Sequence, residues 1–261
     1  MIQVGACGFS YKDWRGVFYP EGLAEREMLS YYSTQFPVVE LDYTYYQMPA
    51  TRTIEGLSSK TPAGFTFCVK AHRSMTHERP ESDDDAAALF KTFLSALAPL
   101  ADDGKLGCVL CQFPWGFKRT PENASYIERL PELLPGVPVI VEFRNVEWVS
   151  PAAFDLLSRN GLGFCCVDEP SLKGLFPPLA VYTSSIGYVR FHGRNARSWW
   201  EHKEAWERYN YLYTENELRD WIPKIDSISQ ATERTYVLFN NCHAGQAALN
   251  AKQMESLLDL L

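Results

Sequence analysis

Eight short apolar runs along the chain follow one rule: alternate residues are of core type until the run ends, where the same alternation turns polar or charged. The first, with Val4 and Ala6, leads to Gly8 and Ser10, and the second, with Val38, leads to Glu40 and Asp42. The later runs reach Lys70 and His72, Gln112, Glu142 and Arg144, Asp168, Arg190 and His192, and Asn240. Residues two apart on a strand share a face, so each run is predicted to send one side into a common interior and to present polar groups at its C-terminal end.

The runs predict strands over Ile2–Cys7, Val38–Leu41, Thr66–Val69, Leu106–Cys111, Val139–Phe143, Gly163–Val167, Tyr188–Phe191 and Thr235–Phe239. Between them, apolar residues recur at helical spacing over Glu25–Phe36, Thr51–Ser59, Asp84–Ala98, Glu122–Leu134, Pro151–Asn160 and Glu215–Ile228, with a last helix over Ala244–Leu260. Ser150-Pro151 reads as a cap and first turn, and Asn160-Gly161 as a helix stop. The Pro-rich stretch from Glu169 to Ile186 fits either a short helix or a loop. Strands alternating with helices imply parallel pairing through right-handed crossovers, leaving an open doubly wound sheet or a closed barrel. Eight units and a shared polar end favour a single (β/α)8, TIM-barrel-like α/β domain spanning residues 1–261, with its chemistry at the C-terminal ends of the strands. No Gly-x-Gly-x-x-Gly follows the first strand, which removes the usual sign of a dinucleotide-binding sheet.

Composition changes this picture little. The 261 residues are 46% hydrophobic and 22% charged, ordinary values for one globular domain of this class. A formal charge of −7 argues against a strong non-specific binder of nucleic acid, which draws its affinity from a basic surface. The start Met1-Ile2-Gln3-Val4-Gly5 carries no basic or apolar leader, and no apolar run has membrane-spanning length, so a cytoplasmic protein without membrane association is expected. Of seven cysteines, Cys7, Cys68, Cys108, Cys111, Cys165 and Cys166 fall within the strands as small core fillers. Cys108 and Cys111 are three apart on one strand and face opposite sides, which argues against a redox or zinc pair.

Several ordered motifs carry a resemblance. They are Gly5-Ala6-Cys7-Gly8-Phe9-Ser10-Tyr11-Lys12-Asp13-Trp14-Arg15-Gly16, Val39-Glu40-Leu41, Phe67-Cys68-Val69-Lys70-Ala71, Thr76-His77, Val141-Glu142-Phe143-Arg144, Arg190-Phe191-His192-Gly193-Arg194 and Phe239-Asn240-Asn241-Cys242-His243. Together they resemble the YecE-like family, domain of unknown function 72, from Gly5 to about Asn250. The resemblance implies a TIM-barrel-like fold and supplies no reaction. The chain departs from it at Asp42-Tyr43, where the family more often has Asn-Ser, and at Trp115, where a second Pro is usual. An acid in place of a neutral amide at position 42 changes the charge of the pocket.

The strand ends gather Glu40, Asp42, Glu142 and Asp168 with Lys70, Arg144 and Arg190, and add His72 and His192. Burying so many charges is expensive unless they are paired, and a barrel without a site could fill the space with apolar groups. Three chemistries fit. In the first, Glu142, Asp168 and His192 hold a divalent metal for phosphoester hydrolysis, with His72, His77 or His243 completing the shell. Against it, there is no His-Glu-x-x-His, and Arg144 and Arg190 on the same faces would repel a cation. In the second, Glu40 and Glu142 act as acid and base without a metal, while Lys70, Arg144, Arg190 and Arg194 hold an anionic group. The third is a binding module without turnover, in which aromatic residues of the loops, Trp14, Trp115, Trp148, Trp199 and Trp200 with Phe9, Tyr11, Tyr45 and Tyr46, stack on sugars or unpaired bases.

The expectation that follows is a hydrolase or lyase acting on a small or oligomeric anionic substrate containing phosphate or sugar. Its catalytic residues are Glu142, His192, Glu40 and Asp168. Its substrate-binding residues are Lys70, His72, Arg144, Arg190, Arg194, Asn240, Trp14, Tyr46 and Gln112. A metal-dependent phosphoesterase is the form that uses the divalent ion. A nucleic-acid or carbohydrate binder using the aromatic loops is the alternative.

Overall fold

The computed structural model describes residues 1–258 and shows a closed barrel in which eight parallel strands pair in chain order and the last pairs with the first. They are β1 (Ile2–Cys7), β2 (Val38–Leu41), β3 (Thr66–Lys70), β4 (Leu106–Gln112), β5 (Val139–Glu142), β6 (Gly163–Asp168), β7 (Ile186–Phe191) and β8 (Arg234–Phe239). The principal outer helices are α1 (Met28–Gln35), α2 (Thr51–Ser58), α3 (Asp83–Asp102), α4 (Pro121–Glu128), α5 (Pro151–Arg159), α6 (Glu215–Arg219), α7 (Ile222–Ala231) and α8 (Gln246–Leu258). Each strand from β2 to β7 is buried over nearly its whole length, as expected where side chains pack both inward and against helices.

Proline explains where the helices depart from their predicted spans. The apolar period over Glu122–Leu134 divides into α4 and a short turn of helix, Leu130–Leu133, because Pro131 has no N–H to continue the ladder. Pro223 likewise opens α7 separately from α6, and Trp221 packs at the junction. Residues 169–185 form an irregular loop, which settles the Pro-rich stretch as a connection between β6 and β7. The predicted end of the last helix at Leu260 lies outside the described residues.

Four of the helices begin on hydroxyl caps, Ser82, Thr120, Ser150 and Thr214, and the Thr214–Glu217 pair forms a reciprocal capping box. The six strand cysteines are buried and free, in keeping with core packing. Among the described residues no helix is long and apolar enough to cross a membrane.

Candidate functional site in the barrel mouth

The inward face of the barrel is fixed by contacts among side chains from opposite strands. Arg190 of β7, with no exposed surface, places Nη1 2.8 Å from Glu142 Oε2 of β5 and Nη2 2.5 Å from Glu40 Oε1 of β2. Tyr188, two residues earlier on β7, donates its hydroxyl to Glu40 Oε2 at 2.5 Å. Glu142 Oε1 in turn meets Arg144 Nε at 2.6 Å and His192 Nε2 at 3.2 Å. Both carboxylates are wholly buried. They form the floor of the mouth, joined through one guanidinium.

This lattice sets the protonation of its members. Burial alone would push Glu142 up, but Arg144, Arg190 and His192 hold it well below the usual carboxylate range. Burial raises Glu40 to about 7, since it outweighs the pull of Arg190. Burial, then the charge of Arg144, pushes His192 down to about 3, so the ring is neutral near pH 7. Its Nε2–H then donates to Glu142, and its Nδ1 stands 3.0 Å from the amide nitrogen of Asn240, which donates to it. Glu142 and His192 are two of the catalytic residues expected from the sequence. The structure brings them together, but ties both into the floor with no exposed surface.

Above the floor lie the groups that a ligand can reach. Lys70 stands 3.6 Å from Asp42 and 4.7 Å from the centre of the Tyr45 ring. Arg144 reaches up from Glu142 and places Nη1 3.5 Å from Glu169 Oε2. Desolvation opposes the charge of Lys70 more than any single neighbour supports it, but Asp42 together with Glu40 and other nearby groups raises it overall, and Glu142 with Glu169 and other neighbours does the same for Arg144. Two adjoining lobes open over these groups. The first, about 340 Å³, is lined by Lys70, Arg144, Arg208, Gln112 and a wall that includes Tyr45, Trp115, Trp199 and Trp200. The second, about 530 Å³, is lined by Asp13, Asp42, Asn240, His243, Tyr11 and Trp206. Lys70, Tyr46 and Tyr209 line both. No carboxylate lines the first lobe among the described residues, whereas two line the second.

With this geometry in view, likeness to known proteins becomes informative. The family model described as "Protein of unknown function DUF72" matches residues 3–261. The chain belongs to the DUF72 family. It is 35% identical to the UPF0759 protein YunF of Bacillus subtilis over 272 residues, covering 100% of this chain and 95% of that one. A crystal structure of a DUF72 family protein from Thermotoga maritima superposes with a TM-score of 0.90 at 40% identity, covering 99% of each chain. One from Enterococcus faecalis superposes at 0.87 with 28% identity, covering 100% of this chain and 96% of that one.

In this DUF72 barrel two runs face opposite to the pattern reading. Cys7 of β1 points inward, its Sγ 3.5 Å from Arg190, so Val4 and Ala6 pack outward. Cys165 of β6 lies against Glu142, so Asp168 also points outward. There it accepts from Arg194 at 2.8 and 2.7 Å, from Tyr213 at 2.7 Å and from the Trp221 indole at 2.6 Å. Asp168 and Arg194 therefore clamp the helical layer and leave the mouth, and the inward acid on this strand end is Glu169. One more step along the true parity of β6 would have found it. Glu169 accepts from the Phe176 N–H at 2.8 Å, and burial raises it to about 7 against the pull of Arg144.

Three more nominated residues serve the loops. His72 caps the short helix Arg73–Thr76 through Ser74 and lines neither lobe. Trp14 is wholly buried and donates to Cys242 O at 2.6 Å. Trp148 is buried against Phe143, 4.1 Å between ring centres. Tyr46, Gln112 and Asn240 do line the mouth. Asp13, Arg208 and Tyr209 were missed because they sit on loops and short turns, where no period marks a face.

The nominated metal ligands cannot share an ion as arranged, because Asp168 faces away and Glu142 is already surrounded by cations. The one grouping of metal-ligating atoms among the described residues is Cys7, Glu40 and Asp42, all within 4.8 Å of one another. Arg190 Nη2 lies 2.5 Å from Glu40, 3.5 Å from Cys7 and 3.7 Å from Asp42. A guanidinium already holds the centre of that cluster, so these residues do not fit a divalent metal.

Two expected outcomes follow from the placements. Asp168→Ala should destabilise the fold by about 2–4 kcal/mol, since Arg194, Trp221 and Tyr213 lose a buried shared acceptor. It should leave phosphate affinity within about twofold, because the residue is outside the mouth. Urea unfolding and calorimetric titration check the two parts, and a large loss of affinity in a folded variant would return Asp168 to the site.

Titration of the buried glutamates gives the second. Glu40 and Glu169 have folded pKa values above the ordinary 4.5, so their contribution is fully present below that value and lost as pH rises through about 7. His192, depressed to about 3, and His77, depressed to about 4, contribute stability present above pH 6.5 and lost as pH falls. The histidine contribution is complete near pH 6.5, so stability should decline between pH 6.5 and 8. A Glu40→Gln, Glu169→Gln double variant should not show this decline. Urea midpoints across that range decide it, and an identical slope in both proteins would refute the assignment.

Proposed function

We propose that the mouth binds an anionic, phosphate-bearing substrate and acts on it as a hydrolase or lyase. The observation that carries this reading is the charge of the first lobe. Lys70, Arg144 and Arg208 face a cavity that no carboxylate lines among the described residues, while both floor glutamates, Glu40 and Glu142, are already paired. A desolvated cluster of fixed cations is suited to phosphate oxygens, and the same cations stabilise charge that develops on a leaving group.

Proton exchange falls to the Glu40 and Asp42 pair. Burial raises Glu40, while Asp42, despite its own burial, is held down by Lys70 and Arg190. Two acids pushed apart in this way supply a proton store and an ionised partner. Asp42 is the member of the pair that lines the cleft.

Calorimetric titration with inorganic phosphate tests the reading. Binding should weaken steeply as salt rises, as a cationic site requires. Absence of binding at millimolar phosphate and low salt would overturn it. A binding function without turnover draws on the rim, where Trp115, Trp200 and Tyr46 are 45%, 51% and 71% exposed. Glu40→Gln separates the two: an enzyme loses turnover of the phosphoesters it cleaves and keeps its affinity, whereas a binder shows no turnover in either form.

A further inference from the structure

The second lobe is constructed as firmly as the first, and its chemistry is different. The loop after β8 that forms its wall is tied down at three points. Trp14 donates to Cys242 O at 2.6 Å, Cys242 Sγ donates to Cys7 O at 2.9 Å, and the Ala244 N–H donates to Asp13 Oδ2 at 2.7 Å. Ala244 has φ of 51°, a left-handed conformation that side chains other than glycine rarely adopt. Strain of this kind persists where surrounding bonds enforce it, and it clusters at ligand clamps. On the wall so fixed, the His243 ring stacks on Trp206 at 4.3 Å and 16°, and Trp206 stays 46% exposed.

This lobe offers two carboxylate acceptors, Asp13 and Asp42, beside donors that include Lys70 and Asn240. Asp13 uses Oδ2 for Ala244 and has no partner for Oδ1 among the described residues, and Asp42 lies across the lobe beside Lys70. Carboxylates that accept from hydroxyl groups, next to an exposed aromatic face, match a sugar ring, as acidic side chains do for ribose in nucleotide sites. A phosphate would be repelled by those same carboxylates and sent to the cationic lobe, with Lys70 at the junction.

We infer that the second lobe binds the sugar ring of a sugar phosphate whose phosphate sits in the first lobe. This rests on the anion reading of the first lobe and adds the identity of what the anion is attached to.

Calorimetry on the full chain with three probes, inorganic phosphate, ribose 5-phosphate and phenyl phosphate, tests it. Ribose 5-phosphate should bind about tenfold or more tighter than phosphate, the scale of one aromatic contact plus hydrogen bonds. Phenyl phosphate, a ring without hydroxyls, should gain less than ribose 5-phosphate. Trp206→Ala, at an exposed position where folding is not at stake, should bring ribose 5-phosphate close to phosphate and leave phosphate itself unchanged. Equal affinities for phosphate and ribose 5-phosphate would overturn the inference and leave the anion reading standing. So would a gain that survives Trp206→Ala, or an equal gain with phenyl phosphate. Failure of inorganic phosphate to bind would instead remove the anion reading, and this inference with it.

Discussion

Replacing Arg190 with methionine is expected to cost about 3–5 kcal/mol of folding stability, the usual penalty for leaving buried charges without their partner. Arg190 touches both Glu40 and Glu142, at 2.5 and 2.8 Å, and none of the three has exposed surface. Glu142 would keep Arg144 and His192, but Glu40 would keep, among the described residues, only the Tyr188 hydroxyl as a close donor. Glu40, already raised to about 7, would take up a proton, so part of the cost would disappear at low pH. Urea unfolding at pH 5 and pH 8 measures both effects. A loss below about 1 kcal/mol at pH 8 would mean that the lattice is not what closes the barrel floor. Adding Glu40→Gln to the methionine variant should recover stability, because the uncompensated charge is then gone.

The second large effect concerns binding. Lys70→Met and Arg144→Met together are expected to weaken phosphate at least about hundredfold, since each charge-assisted contact contributes roughly 1.5–3 kcal/mol. Lys70→Met alone is the cleaner member, as Lys70 is partly exposed and its ion pair with Asp42 is loose at 3.6 Å. It should weaken binding about tenfold or more with little change in stability. Arg144→Met also releases Glu142 and Glu169, so its binding loss has to be compared with its unfolding midpoint. Titration of the variants with phosphate, at low salt and again at high salt, checks the assignment. Unchanged affinity in a folded double variant would place the anion elsewhere.

How far the sequence revealed this site depended on parity. Where a strand ended on the counted face, as at Glu40, Lys70, Gln112, Glu142, Arg190 and Asn240, alternation alone placed the residue in the interior. It failed on β1 and β6 for a physical reason. Both strands are buried on both faces, with Val4 and Ala6 opposite Cys7 and Cys166 opposite Cys165, so the apolar pattern does not say which side is the barrel. The error on β6 exchanged Asp168 for Glu169 and created a metal trio that the fold does not assemble. Loops were legible only by residue type. Trp115, Trp199 and Trp200 line the mouth and Trp14 and Trp148 do not, a difference set by tertiary packing that no local period encodes. Protonation was the least legible. Glu142 looked like a base because it sits at a strand end, but three donors within 3.2 Å hold it ionised and occupied.

The central claim is that the cationic lobe of the mouth holds an anion, and an anomalous difference map from a crystal soaked in tungstate addresses it most directly. The expected result is a peak in the first lobe within hydrogen-bonding reach of Lys70 and Arg144, absent from crystals of the Lys70→Met, Arg144→Met variant. A first lobe without a peak at saturating tungstate, with the anion bound at other sites on the same molecule, would contradict the claim.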